Sequence, residues 1–243
     1  MLLLKTGNAS PKPAYHWNLL SDGVAYTKYS FEIEPQQRTT IHAFQIDPTK
    51  VKLDIVTASS KQADGTTVKE LAMSKKASLV INGGFFSEEH KSIGLLIQSG
   101  KMINPIHKTS WWSIFGLKSG MPFIAMPKEF KPSPDISVAV QAGPRLVIDG
   151  QIPKLKDGLA PRSMVGITKD NKVIIAVTEG VPVSLTEIAN RMQKSSYEGG
   201  LDCPNAMALD GGGSTQLYAK IKKFELSIDG LSYITNGLAV FVK

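Results

Sequence analysis

The chain has 243 residues, 42% of them hydrophobic and 20% charged, with a formal net charge of +7. That balance excludes a disordered or fibrous protein and leaves room for one large domain. The positive charge is spread along the chain, with no cluster longer than pairs such as Lys75–Lys76 and Lys222–Lys223, so no concentrated nucleic-acid face is expected, although a mild positive field favours anionic substrates.

Residues 1–22 read as an N-terminal arm, with "SPKPAYHW" extended and outside the core, and residues 23–243 as one domain. "MLLLKTGNAS" has no basic residue ahead of its leucines and makes a poor signal peptide as it stands. The compartment is therefore exported (periplasmic or secreted) if a longer leader has been removed, and cytoplasmic otherwise. "VAYTKYSFEI" (24–33), "TIHAFQID" (40–47) and "VKLDIVTA" (51–58) alternate apolar and polar residues, the period of half-buried antiparallel strands, with "DPTK" turning between the last two. In "TTVKELAMSKK" the period changes. Thr67 and Glu70 form a capping box ahead of a helix that feeds the apolar strand "ASLVI", which ends at Asn82-Gly83-Gly84.

"SIGLLIQSGKMI" and "WWSIFGLKSGMPFIA" each read as strand, Ser-Gly turn, strand, and the Pro-rich stretch 126–135 as a loop. "ISVAVQAGPRLVIDGQI" is two strands broken at Gly143-Pro144, and "PRSMVGITKDNKVIIAVTEG" a further hairpin. Ser184 and Glu187 form a second capping box, with Leu185, Ile188, Ala189 and Met192 on one helical face. After a loop through Pro204, "NAMALDGGG" is an apolar strand ending in an acid and three glycines, and "NGLAVFV" is the last strand. The expected fold is α+β, with a mixed, largely antiparallel sheet, two capped helices and glycine loops at strand ends. No apolar run approaches the roughly 20 residues of a membrane-spanning helix, and the lone Cys203 permits neither an internal disulfide nor a thiolate metal cluster.

One pattern occurs twice: a capped helix feeds an apolar strand that ends in Asn82-Gly83-Gly84 or in Asp210-Gly211-Gly212-Gly213. Apolar runs without alternation suggest strands covered on both faces. If the two strands lie near each other in one sheet, both glycine loops open at the same edge, where ligands tend to sit. Exposed N–H groups in such loops form a nest for phosphate or carboxylate, to which Ser214 and Thr215 add hydroxyls; a tight turn or bulge is the alternative. "GGGST" is followed by no P-loop lysine, and no G-x-G-x-x-G opens a helix. His16, His42, His90 and His107 show no metal spacing, so no metal and no cofactor is expected; each reads as structural or surface, with His42, in a strand, the one that could face the site.

"INGGFF", "QAGPRLVIDG", "PRSMVGIT" and "ALDGGGSTQLY" occur in that order from about residue 40 to the C-terminus. Together they resemble the phosphodiester glycosidase domain family, which includes the animal mannose-6-phosphate uncovering enzyme and bacterial relatives. The resemblance implies hydrolysis of a sugar–phosphate bond in a glycosyl phosphodiester, for a bacterial protein one of cell-surface or exopolysaccharide origin. Its rivals are a sugar-phosphate binding module without turnover and a hydrolase of nucleotide- or peptidoglycan-linked sugar phosphates. The animal enzyme releases N-acetylglucosamine.

Such chemistry passes through an oxocarbenium-like state that glycosidases handle with carboxylates. Asp210 and Glu179, each after a strongly apolar strand, are the candidate catalytic acids, Asp210 as base or nucleophile rather than as a sugar-hydroxyl ligand. Arg162 begins the family's R-[ST]-x-x-G motif and is matched to phosphate, ahead of Arg145. Asn82, Gly83, Gly84, Phe85, Gln141, Gly143, Gly211, Gly212, Gly213, Ser214 and Thr215 complete the expected binding set, with Gln216 and Phe86 as further contacts and Trp111 and Trp112 as one exposed and one core residue. The implied partner is a glycan or small molecule carrying a phosphodiester. "SYITNGLAV" departs from relatives that often carry an arginine before the final strand, so the substrate preference is expected to differ.

Overall fold

The structure, a computed structural model, describes residues 13–59, 65–156 and 158–242. In chain order the strands are β1 (Asn18–Ser21), β2 (Val24–Glu34), β3 (Gln37–Ile46), β4 (Lys52–Thr57), β5 (Leu79–Asn82), β6 (Leu96–Gln98), β7 (Lys101–Asn104), β8 (Ser113–Lys118) and β9 (Met121–Ala125). They continue with β10 (Ile136–Ala142), β11 (Arg145–Val147), β12 (Ser163–Ile167), β13 (Val173–Gly180), β14 (Asn205–Ala208), β15 (Leu217–Ile221), β16 (Phe224–Ile228) and β17 (Asn236–Phe241). Helix α1 (Val68–Lys75) precedes β5, and α2 (Leu185–Gln193) precedes β14.

These strands form three sheets, in the orders β1-β2-β3-β13-β12-β14-β11, β7-β6-β10-β8-β9 and β16-β15-β5-β17-β4. Every strand pairing among the described residues is antiparallel, β5 and β14 included. The expected α+β class with mixed sheet is thus corrected to a predominantly β architecture carrying two short helices. The apolar runs "LVI" and "AMA" had suggested strands covered on both faces. They are so covered, but by a shared core on one side and a helix on the other, not by parallel crossovers.

The three sheets meet on one core. Val24, Phe44 and Val165 come from the first sheet, Leu96, Phe115 and Val140 from the second, and Ile55, Ile81 and Leu238 from the third. Alternate residues point outward to smaller clusters. Ala206 and Ala208 of β14 meet Ile188, Ala189 and Met192 of α2, while Val80 of β5 meets Val68, Leu71 and Ala72 of α1. Period-2 strands with both faces apolar lead to this layering, because each outer face needs its own cover.

Both helices start at the expected caps. At α1 the box is complete: Thr67 accepts from the Glu70 N–H, and the Glu70 carboxylate accepts from the Thr67 N–H at 2.9 Å. At α2 it is half formed. Ser184 accepts from the Glu187 N–H at 3.1 Å, but the Glu187 carboxylate turns forward to Arg191 at 2.7 Å, one turn on. Thr67→Ala is expected to lower stability by about 1 kcal/mol, read as a lower urea midpoint with unchanged slope; an unchanged midpoint contradicts the cap.

Three other departures matter. Tyr15, in the segment read as lying outside the core, is buried against Tyr29 with ring centroids 4.9 Å apart, and β1 extends the first sheet. Residues 1–12 of the expected arm lie outside the described residues. The strands either side of Gly143-Pro144 belong to different sheets.

Candidate active site

β5 belongs to the third sheet and β14 to the first, yet their C-terminal ends meet. The Asp210 N–H donates to the Gly83 carbonyl at 3.0 Å, and Asn82 Nδ2 donates to the Asp210 carbonyl at 2.7 Å. Asn82 Oδ1 accepts from the Ser163 hydroxyl at 2.6 Å and from the Gln216 N–H at 3.2 Å. One buried amide therefore ties β5, β12 and both flanks of the glycine loop. The two strand ends converge as the duplicated pattern suggests, but across sheets.

This convergence reassigns part of the expected binding set. Asn82 is 0% exposed with both polar atoms engaged, so its side chain anchors the loop and has no free face for a ligand. Gly83 and Gly84 are buried. Glycine is required at Gly84 because a Cβ there would lie 2.4 Å from the Gln141 carbonyl. Gln141 is fully buried; its Oε1 accepts from the Leu95 and His107 N–H groups and its Nε2 donates to the His107 carbonyl. Gly143 packs against the Trp111–Trp112 backbone. Phe85 packs on the central core with its ring 4.7 Å from that of Trp112, which is buried, whereas Trp111 is exposed. Phe86 packs on the outer cluster of the third sheet and stacks on His90. Gln216 bridges the start of α1 and the Ser232 carbonyl. These residues pack around the loop and support it.

What remains open is the loop itself. Gly212 has φ +61° and nothing within 4 Å of where a Cβ would stand, so the main chain faces free space in a conformation that side chains disfavour. A cleft of about 310 Å³ lies there, between Gly212 and Thr215 on one side and Thr178, Glu179 and Gly180 of β13 on another. Segment 227–231 closes it, held by the Leu231 and Ser232 N–H groups donating to the Gly213 carbonyl; Leu231 stands 94% exposed on the rim. Thr215 Oγ1 is buried without a hydrogen-bond partner. Ser214 is also buried.

Asp210 lies two residues upstream of Gly212. Burial pushes its carboxyl up to about 6, against the opposing pull of the Ser214 hydroxyl and the Gly211 N–H. A carboxyl titrating there is ionised at neutral pH yet poorly solvated, a state suited to a base or nucleophile.

Glu179 is reached through His42 by a chain of polar groups, of which the sequence did not reveal Tyr26. Register pairs His42 with Val177, which puts His42 and Glu179 on one face of the first sheet as diagonal neighbours. His42 Nε2 lies 3.0 Å from Glu179 Oε2, and His42 Nδ1 lies 2.8 Å from the Tyr26 hydroxyl. Burial and the charge of Glu179 push the Tyr26 hydroxyl up to about 12, so it stays a donor. Burial also holds His42 below its ordinary value, despite the Glu179 hydrogen bond. The assignment that satisfies all three is a neutral imidazole with Nδ1 accepting from Tyr26 and Nε2–H donating to Glu179. Glu179→Gln is expected to lower the His42 pKa further, because the main opposing influence is removed; an NMR titration of the ring that finds it unchanged or raised contradicts this pairing.

Arg162 immediately precedes β12, opposite Thr178 of β13. Its N–H donates to Thr178 Oγ1 at 2.8 Å, and its guanidinium donates to the Val183 and Gly158 carbonyls. It has no ion-pair partner among the described residues, and burial lowers its pKa from the ordinary arginine value. A Cβ on Gly211 would lie 3.8 Å from Arg162 Nη1, which places an unpaired cation beside the glycine loop.

Among the described residues no group of three or more His, Cys, Asp or Glu side chains gathers in a metal-binding arrangement, and no helix is long and apolar enough to cross a membrane.

The sequence profile of the phosphodiester glycosidase family matches residues 75–241. YigE, an uncharacterised Escherichia coli K12 protein, is 24% identical over 156 residues, which cover 58% of this chain and 61% of its own length, under two thirds of that relative. A hypothetical protein from Synechocystis superposes with a TM-score of 0.64 at 14% identity, over 96% of this chain and 64% of its own. The catalytic domain of zebrafish N-acetylglucosamine-1-phosphodiester alpha-N-acetylglucosaminidase, solved in a form auto-inhibited by its pro-peptide, gives a TM-score of 0.67 at 16% identity, over 97% of this chain and 86% of its own. At those identities the two structures are evidence of a common fold alone. The profile match covers more than half of the chain and takes in Arg162, Glu179 and the glycine loop: this chain belongs to the phosphodiester glycosidase family.

Proposed function

We propose that the protein hydrolyses a glycosyl phosphodiester, breaking the bond between the anomeric carbon and a phosphate oxygen to leave a free sugar and a phosphomonoester. The observation that carries this reading is the Asp210 carboxyl, desolvated to a pKa of about 6, two residues before the open main chain of Gly212. In the reaction the oxygen of water ends on the anomeric carbon and the bridging oxygen leaves with phosphate. Asp210 serves as base or nucleophile for that exchange. Phosphate is already a good leaving group, so donors that hold its charge matter more than a strong acid. The Gly212 and Gly213 loop, Thr215 Oγ1 and the Arg162 guanidinium are assigned to it. Glu179, hydrogen-bonded to His42, faces the same cleft and is assigned to the sugar side.

The zebrafish relative's name makes an N-acetylglucosamine 1-phosphodiester the first substrate to try, and a bacterial cell-surface or exopolysaccharide phosphodiester is the proposed natural class. The test is a panel containing such a diester, UDP-N-acetylglucosamine and bis(p-nitrophenyl) phosphate, assayed for free sugar and for phosphomonoester. Free sugar from a glycosyl diester, with bis(p-nitrophenyl) phosphate untouched, supports the proposal. Turnover of UDP-N-acetylglucosamine alone moves it to nucleotide-linked sugars, and failure to release sugar from any glycosyl diester overturns it.

A further inference from the structure

A second, wider cleft lies elsewhere. It measures about 750 Å³ and opens at the other end of β12 and β14, where Thr168, Lys169 and Asn205 line it. With ~3.3 Å per strand residue, it is on the order of 20 Å from the glycine loop. Its floor is Arg145, which is only 8% exposed. The guanidinium donates to the Val147 and Ile124 carbonyls at 3.5 and 3.4 Å and to Asn205 Oδ1. These are neutral acceptors, two of them at long range. No carboxylate of the described residues is within ion-pair distance of it. Asp149 and Glu129 favour its charge from farther off, while burial disfavours it.

Taking a cation out of water without an ion pair is expensive, and three acceptors leave part of a five-donor guanidinium unused. An arginine kept only to staple β9, β11 and β14 has no need of a large open cleft beside it. Lys128 and Lys169 are exposed on the rim, and neither forms an ion pair among the described residues. Against Asp149 and Glu129, the three cations leave a net charge of +1. The walls combine apolar surface from Ile124 and Ile148 with the amide of Asn171, which suits the two faces of a sugar ring.

We propose that this cleft is a second, non-catalytic binding site for an acidic sugar, with a phosphate or carboxylate seated on Arg145. The site holds a glycan away from the glycine loop, and its existence does not depend on the hydrolysis proposed above.

The test is an amide NMR titration of the wild-type protein with glucose 6-phosphate, glucuronate and neutral glucose, none of which carries a phosphodiester. The Lys169, Asn171 and Asn205 amides are expected to shift saturably with one or both acidic probes and not with glucose; which acid works identifies the anion. Arg145→Gln is expected to weaken binding about tenfold. Lys169→Glu, an exposed change that leaves the fold in place, should weaken it about threefold. The proposal is overturned if those amides stay still, if glucose binds as tightly as the acids, or if Lys169→Glu and Lys128→Glu together leave the affinity unchanged.

Discussion

Asp210→Asn is expected to lower turnover of a glycosyl phosphodiester by about 10³-fold while making the protein more stable at neutral pH. The two effects share one cause. In the fold the carboxyl titrates near 6 because burial disfavours its charge, whereas in the unfolded chain it titrates near 4. A group whose folded pKa is raised contributes stability that is fully present below the unfolded value and is lost as pH rises through the folded one. Ionising Asp210 therefore costs the wild type about 2–3 kcal/mol between pH 4 and pH 7. Asparagine cannot ionise, and its amide oxygen still accepts from Ser214 and Gly211. The variant should match the wild type in urea near pH 3.5 and exceed it by about 2–3 kcal/mol at pH 7.5. Equal stability at both pH values would mean that Asp210 is well solvated, and the functional reading would lose its support.

Asn82→Leu should have the largest effect on stability. Leucine is close in size, but it leaves the Asp210 carbonyl, the Ser163 hydroxyl and the Gln216 N–H without the partner each has now. A buried polar group left unsatisfied costs about 1–3 kcal/mol, so the three together should cost about 3–9 kcal/mol, a large share of a typical domain's stability. Because Asn82 joins the third sheet to the first beside the cleft, the surviving folded fraction should also hydrolyse substrate more slowly. Chemical unfolding followed by circular dichroism measures the first effect. A loss below about 1 kcal/mol would show that water replaces the amide, and that the two strand ends are held together by other contacts.

Legibility in the sequence followed how local each cause was. Period-2 alternation placed β2, β3 and β4, and the Thr67–Glu70 box placed α1, because these signals reside in a few consecutive residues. Sheet membership did not follow. "DPTK" turns the chain between β3 and β4, yet β4 pairs with β17, nearly two hundred residues on, and no local signal carries that choice. The β15–β16 hairpin went unseen because its turn is Lys222-Lys223, which carries none of the Gly, Asn or Asp residues that mark such turns.

The same contrast holds at the site. The glycine loop was visible as a cluster of residue types after a strand-end acid. Asn82 was visible too, but its amide turned out to serve the fold, since whether a polar side chain faces a ligand or a neighbouring strand depends on the other sheet. Tyr26 and His42 lie on adjacent strands that meet Glu179 only through register. The sole hint was His42 itself, a histidine in a strand that could face the site.

The most direct measurement is kcat/KM against pH, from pH 4.5 to 8.5, on whichever glycosyl phosphodiester the panel identifies. A carboxylate base or nucleophile with a folded pKa near 6 predicts a rate that climbs through that pH and levels off above it, with the inflection absent from the residual activity of Asp210→Asn. A flat profile across this range, or the same inflection persisting after the substitution, would contradict the assignment of the chemistry to Asp210.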